Sequence, residues 1–124
     1  MNKILIVDDS ATMRKIIMRV LRQADFQSET IVEASNGVEG LQRLVSDPDI
    51  QLILSDINMP EMNGIDFVKA VRTKHDKDAL PVVMITTEGG EAMVSTAMSC
   101  GANGYVTKPF TPDSIREALE KIVG

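Results

Sequence analysis

The chain has 124 residues, of which 44% are hydrophobic and 25% charged, ordinary globular proportions that suffice for the core of one domain but not for that core plus an output module. Its formal net charge is −5 with no cluster of Lys and Arg, which argues against a nucleic-acid surface because phosphate backbones are bound by grouped cations. No apolar run approaches the ~20 residues of a membrane span, Met1-Asn2-Lys3 leads straight into Ile4-Leu5-Ile6-Val7 without a secretory leader, and Cys100 alone forms no internal disulfide. What remains is a single cytoplasmic domain over 1–124, expected to be monomeric, with neither membrane nor nucleic acid as partner.

Five short apolar runs alternate with five helical patterns, as parallel strands joined by crossover helices do. Ile4 to Val7 is continuous Ile, Leu and Val, the composition of a strand covered on both faces. Met13, Ile16, Ile17, Val20, Leu21 and Ala24 then follow the spacing of one helix face. Thr30 to Ala34 is a more polar run suited to an edge, and the helix after it rests on Val38, Leu41, Leu44 and Val45 and stops near Asp47-Pro48. Leu52 to Ser55 is the third strand; its helix starts near Asn63-Gly64 and uses Phe67, Val68 and Val71. Val82 to Thr86 is the fourth. A helix over Glu91 to Cys100 opens after Gly89-Gly90 and closes at Gly101, where glycine fits a left-handed cap. Tyr105 to Thr107 is a short fifth strand, again suited to an edge. Ile115, Ala118, Leu119, Ile122 and Val123 share the stripe of a last helix, with Pro112 and Asp113 in its first turn. The pattern predicts an α/β fold, a doubly wound five-stranded parallel sheet with five helices.

The residues at the C-terminal ends of the runs carry the chemistry: Asp8 and Asp9 after the first, Asp56 after the third, Thr86 ending the fourth and Lys108 after the fifth. Ligands of open parallel sheets bind beyond the carboxyl ends of the strands, where the strand order reverses. With the order 2-1-3-4-5, strands one and three are neighbours about 4.8 Å apart, so the three acids converge. Crowded carboxylates raise one another's pKa, and a cation is the usual remedy. Oxygen ligands select a hard ion, and few carboxylates with retained water suit Mg2+ better than Ca2+. Capping and helix-dipole complementarity account for Asp8-Asp9 taken alone, but not for three acids and a lysine around one crevice.

Val7-Asp8-Asp9-Ser10, Ser55-Asp56-Ile57-Asn58-Met59-Pro60 with Asn63-Gly64, Ile85-Thr86, and Gly104-Tyr105 leading into Lys108-Pro109-Phe110 together resemble the receiver domain of bacterial response regulators, most of all the CheY-like chemotaxis type. The resemblance runs from Lys3 to the last helix. It implies a stand-alone signalling protein of a two-component system rather than an enzyme, with Asp56 as phosphoacceptor and a histidine kinase as phosphodonor. It further implies that Asp9, Asp56 and the Asn58 backbone carbonyl bind Mg2+ directly while Asp8 holds it through water. Thr86 and Lys108 would contact phosphoryl oxygens, Tyr105 would be the aromatic whose rotamer reports the active state, Asn58 and Glu88 would tune dephosphorylation, and Lys108-Pro109 would be a cis peptide. Output would pass to another protein through the face of helix four, strand five and helix five, with a flagellar motor switch first and a role as phosphorelay intermediate or kinase-regulating adaptor second.

Three other classes fit less well. A flavodoxin-like cofactor binder needs amides and hydroxyls for the flavin phosphate after strand one, where Asp8 and Asp9 would repel it. A haloacid dehalogenase-type hydrolase needs its nucleophile on strand one and a second Asp two residues later, and position 10 is Ser. A receiver that no longer accepts phosphate would not need the intact set of acids, hydroxyl and lysine. Thr87 and Gly89-Gly90, after strand four, depart from the chemotaxis pattern and bear on phosphate access and partner choice.

Overall fold

The computed structural model describes residues 3–24, 30–57, 59, 61–87, 91–108 and 111–123. Strands β1 (Lys3–Val7), β2 (Thr30–Ala34), β3 (Leu52–Asp56), β4 (Val82–Thr87) and β5 (Gly104–Lys108) alternate with helices α1 (Ala11–Gln23), α2 (Gly37–Ser46), α3 (Gly64–Arg72), α4 (Glu91–Ser99) and α5 (Pro112–Val123). The strands form one parallel sheet in the order β2-β1-β3-β4-β5. The expected topology holds, with the polar second and fifth strands at the edges.

Alternation along each strand divides the core in two. Ile4, Ile6, Leu52, Leu54, Val83 and Ile85 face α1 and α5, where they meet Ile17, Val20, Leu21, Ile115 and Leu119. Leu5, Val7, Ile53, Val82 and Met84 face the other layer and pack with Leu44 of α2, Phe67, Val68 and Val71 of α3, and Ala97 of α4. Burial of this apolar area, at about 25 cal/mol per Å², is the main force holding the strand tips in place.

The apolar stripes are narrower than the sequence pattern suggests. On α1, Ile16 is exposed, while Ile17, Val20 and Leu21 carry the contact. On α2, Val38 and Val45 also lie outside, and the buried positions are Gly37, Gly40 and Leu44. Glycines are silent in a hydrophobic pattern, yet here they form the contact face. A Cβ on Gly40 would stand 2.8 Å from the Phe67 ring, so α2 lies against α3 and rotates Val38 and Val45 toward solvent.

Side-chain caps set the helix starts. Ser10, Asn36 and Asn63 each accept a backbone N–H of the first turn of α1, α2 and α3, and Thr111 and Ser114 exchange bonds at the start of α5. At the sheet's other edge, Arg72 donates to the Gly101 and Leu80 carbonyls and to Asn103 Oδ1, each at 2.8 Å. Gly101 has φ +117, the positive dihedral expected of its cap, and a Cβ there would meet Arg72 at 2.7 Å. Desolvation lowers the Arg72 pKa from its ordinary value, and the carbonyl oxygens satisfy the guanidinium that burial strips of water.

Gly64 fixes the relation between α3 and β3. Its amide donates to the Ile57 carbonyl at 2.7 Å, and a Cβ would collide with the Asp56 carbonyl and stand 2.8 Å from Ile57 Cα, both rigid backbone. Gly64→Ala is therefore expected to destabilise the protein by about 1–3 kcal/mol. Gly37→Ala, whose Cβ would meet only the flexible Met62 side chain, is expected to cost less. Urea unfolding of the two variants side by side checks the order.

Candidate functional site

Register brings the acids together. Val7 pairs with Ser55, so the next residues, Asp8 and Asp56, are neighbours across β1 and β3. Asp56 pairs in turn with Ile85, which sets Thr86 one residue beyond on β4. Thr87 pairs with Lys108 at the end of β5. Asp8, Asp9 and Asp56 each offer a carboxylate oxygen, all within 4.8 Å of one another. The Lys108 Nζ lies 3.7 Å from Asp8 Oδ2 and 3.7 Å from Asp56 Oδ1, beyond hydrogen-bond distance of both.

The acids differ in surroundings. Asp8 and Asp56 are buried, and Asp9 is exposed. Asp8 Oδ1 accepts the Ser10 amide at 2.9 Å, whereas Asp8 Oδ2 is buried without a hydrogen-bond partner among the described residues. Asp56 Oδ1 accepts the Ile57 amide at 2.9 Å, and the Asp56 carbonyl accepts the Ser55 hydroxyl at 2.9 Å. Desolvation is the first reason that both carboxyls stand above the ordinary carboxylate pKa. For Asp8 the Ser10 amide and Lys108 oppose it; for Asp56 Lys108 opposes it and the Asp8 charge adds to it.

These features fit a hard cation. An orphaned buried carboxylate oxygen is costly, three convergent oxygens match oxygen-only ligation, and three acids against one lysine leave two formal negative charges for a dication to offset.

Other sequence-predicted residues divide. Thr86 is buried at the strand end. Tyr105 is 51% exposed and lines a groove of about 470 Å³ with Met98 of α4 and Ala118, Lys121 and Ile122 of α5. Asn58, Glu88 and Pro109 lie outside the described residues, as therefore do the carbonyl ligand, the dephosphorylation pair and the Lys108-Pro109 peptide geometry. Sequence reasoning missed Arg14, whose Nη1 donates to the Asp8 carbonyl at 2.6 Å and whose Nε donates to Glu33 at 2.9 Å. It also missed Glu61, which holds φ 66 without being glycine and accepts from Asn36 Nδ2 at 3.3 Å. Bonds to backbone carbonyls leave no periodic signal.

A family model described as the response regulator receiver domain matches residues 4–120. The chain belongs to the response regulator receiver family. Among similar proteins, the receiver is 47% identical to "Chemotaxis protein CheY1" of Helicobacter pylori over 98% of this chain and 97% of that one. It is 44% identical to "Chemotaxis protein CheY homolog" of Campylobacter jejuni, over 98% and 92%. Among solved structures it superposes on CheY4 of Vibrio cholerae with a TM-score of 0.82 and 33% identity, covering 99% of each chain. A response regulator receiver domain protein from Clostridium thermocellum gives 0.84 at 25% identity, covering 99% and 94%. The acids and lysine thus lie at the strand ends of a receiver, a family that typically binds a divalent metal.

The raised carboxyl pKa values fix a sign for stability. An acid whose folded pKa exceeds its unfolded value binds protons more tightly when folded, so stability falls as pH rises from the ordinary 3.8 through the raised folded values. In metal-free protein near neutral pH, Asp8→Asn is expected to raise stability by about 1–2 kcal/mol, because a neutral isostere carries no charge-burial penalty. The gain should shrink as pH approaches the ordinary carboxylate value. Thermal unfolding in a chelator across that range measures it, and a variant less stable than wild type at neutral pH contradicts the electrostatic account.

Proposed function

We propose that this receiver is the response regulator of a two-component system of chemotaxis type, and that Asp56 is its phosphoacceptor. The carrying observation is the Lys108 amine 3.7 Å from both Asp8 and Asp56 at the mouth of the sheet. Transfer of a phosphoryl group asks a protein mainly to position groups and offset charge on equatorial oxygens. Asp56 supplies a carboxylate nucleophile. Its oxygen bonds to phosphorus as the P–N bond of a kinase phosphohistidine breaks, and the imidazole leaves. Lys108, held near but bonded to neither acid, can turn to the new phosphoryl oxygens, and Thr86 supplies a hydroxyl beside it.

Asp8, Asp9 and Asp56 would hold Mg2+, with the Asn58 carbonyl as a further ligand and Asp8 acting through water. When bound, the ion supplies charge neutralisation for the transferring phosphoryl group. The protein acts as a signalling phosphoacceptor that catalyses only its own phosphorylation and, tuned by Asn58 and Glu88, its own dephosphorylation. It works as one domain over 1–124 in the cytoplasm; no helix among the described residues is long and apolar enough to cross a membrane.

Output passes through α4, β5 and α5. Phosphorylation of Asp56 adds about one unit of negative charge and strong acceptors, drawing Lys108 and Thr86 and changing β5, which carries Tyr105 near its start and lines the groove. The names of the relatives as chemotaxis proteins support a flagellar motor switch as the receiving partner.

Incubation with acetyl phosphate and Mg2+ is expected to add the mass of one phosphoryl group to the intact protein. Asp56→Asn or excess chelator should abolish the gain, and removal of the donor should let it decay within seconds to minutes. Labelling that persists in Asp56→Asn removes Asp56 from the role.

A further inference from the structure

Both ends of the Asp8 peptide unit are tied to the edge strand. Its amide donates to the Ala34 carbonyl of β2 at 3.0 Å. Its carbonyl accepts Arg14 Nη1 at 2.6 Å, and Arg14 Nε donates to Glu33 Oε1, also on β2, at 2.9 Å. Arg14 is anchored in its own helix, its amide donating to the Ser10 carbonyl at 3.0 Å. The guanidinium is mostly buried, with 16% of the side chain exposed. Thus the Arg14 fork is spent on a backbone carbonyl and on Glu33.

We infer that Arg14 is a positioning residue that holds the Asp8 carboxylate in the cation-binding cluster through its grip on the Asp8 carbonyl, an inference that rests on reading Asp8, Asp9 and Asp56 as a Mg2+ site. Asp8 is the first residue past β1, and beyond its amide bond to the Ala34 carbonyl the strand pairing ends. Its carboxylate stands in a desolvated pocket beside two other acids, and the easiest relief of that repulsion is rotation of the 8–9 backbone outward. Arg14 opposes the rotation because its planar fork bridges two acceptors, the Asp8 carbonyl and the Glu33 carboxylate of β2. A lysine, with one nitrogen, bridges such a pair poorly. Groups that orient metal ligands from behind are worth about 10–100-fold in metal affinity.

Charge and positioning predict opposite signs. Were Arg14 only a nearby positive charge, removing it would make the cluster more negative and tighten Mg2+ binding. If it is a clamp, removing it loosens Asp8 and weakens binding. The test is isothermal titration calorimetry of the metal-free full chain with MgCl2, with circular dichroism to establish that each variant is folded. Arg14→Met is expected to weaken binding about tenfold, and Arg14→Lys, which keeps the charge, to weaken it several-fold. Lys15→Met removes the same charge from an exposed neighbour and is expected to bind as tightly as wild type or more tightly. Should Arg14→Met fail to fold, Arg14→Lys decides. Arg14→Met or Arg14→Lys binding like wild type, or Lys15→Met losing as much as they do, overturns the clamp and leaves the metal site standing. A wild-type chain that takes up no Mg2+ overturns the site, and the clamp with it.

Discussion

Two carboxylates are buried side by side at the tips of adjacent strands, with one ammonium between them. Nothing in the packing of an α/β domain asks for this, and Asp8 Oδ2 is left without a hydrogen bond among the described residues. The cation that offsets them comes from far away in the sheet. Lys108 stands on β5, two strand spacings or about 9.6 Å from β3, and only a long unbranched stem starting there carries an amine to within 3.7 Å of both acids. The distance explains why the residue is a lysine and why β5 must end where it does. The intervening strand presents the short Thr86 at this level.

The rest of the fold keeps that arrangement from relaxing. β1, β3 and β4 are buried on both faces, so their tips cannot separate without opening both halves of the core. Gly64 lets α3 start directly against the Asp56 carbonyl, and the Gly37 amide donates to the Met62 carbonyl at 3.3 Å, tying the loop after β3 to α2. Anchoring is uneven elsewhere. α3 buries Gly64, Ile65, Phe67, Val68 and Val71, whereas Ala97 is the buried hydrophobic of α4 among the described residues. Arg72 fixes the turn at Gly101, at the far end of α4. Elements with few buried contacts open at the lowest free energy, which singles out α4.

The sequence made the sheet legible because continuous Val, Ile and Leu runs admit few alternatives, and it made the acids and Lys108 legible because a strand's last residue is a fixed address at the sheet edge. Thr86 was located by the same rule and Tyr105 by the short fifth run that it opens, though their roles came from resemblance. The contact face of α2 was misread: Val38 and Val45 fit the helical period, but the close approach of α3 is built on Gly37 and Gly40, which carry no hydrophobic signal. Ile16 fails on α1 for a related reason, since a helix against a twisted sheet buries a stripe narrower than its apolar residues. Arg14 and Arg72 were invisible because their acceptors are mostly carbonyls, which every residue possesses.

An excess of buried negative charge is also what a phosphoacceptor must tolerate. On the proposed role, phosphorylation of Asp56 would exchange one carboxylate charge for an acyl phosphate carrying about −1.5 to −2, making the cluster more anionic. A site neutral beforehand, with Lys108 hydrogen-bonded to one acid, would have to break that bond to stabilise the product. Here the amine stands short of hydrogen bonding with either acid, and the interactions it stands to gain with phosphoryl oxygens are largely new ones. Under the proposed role of Asp56, Lys108 would therefore have less to give up when the charge is added, and its position at the end of β5 would depend on what Asp56 carries.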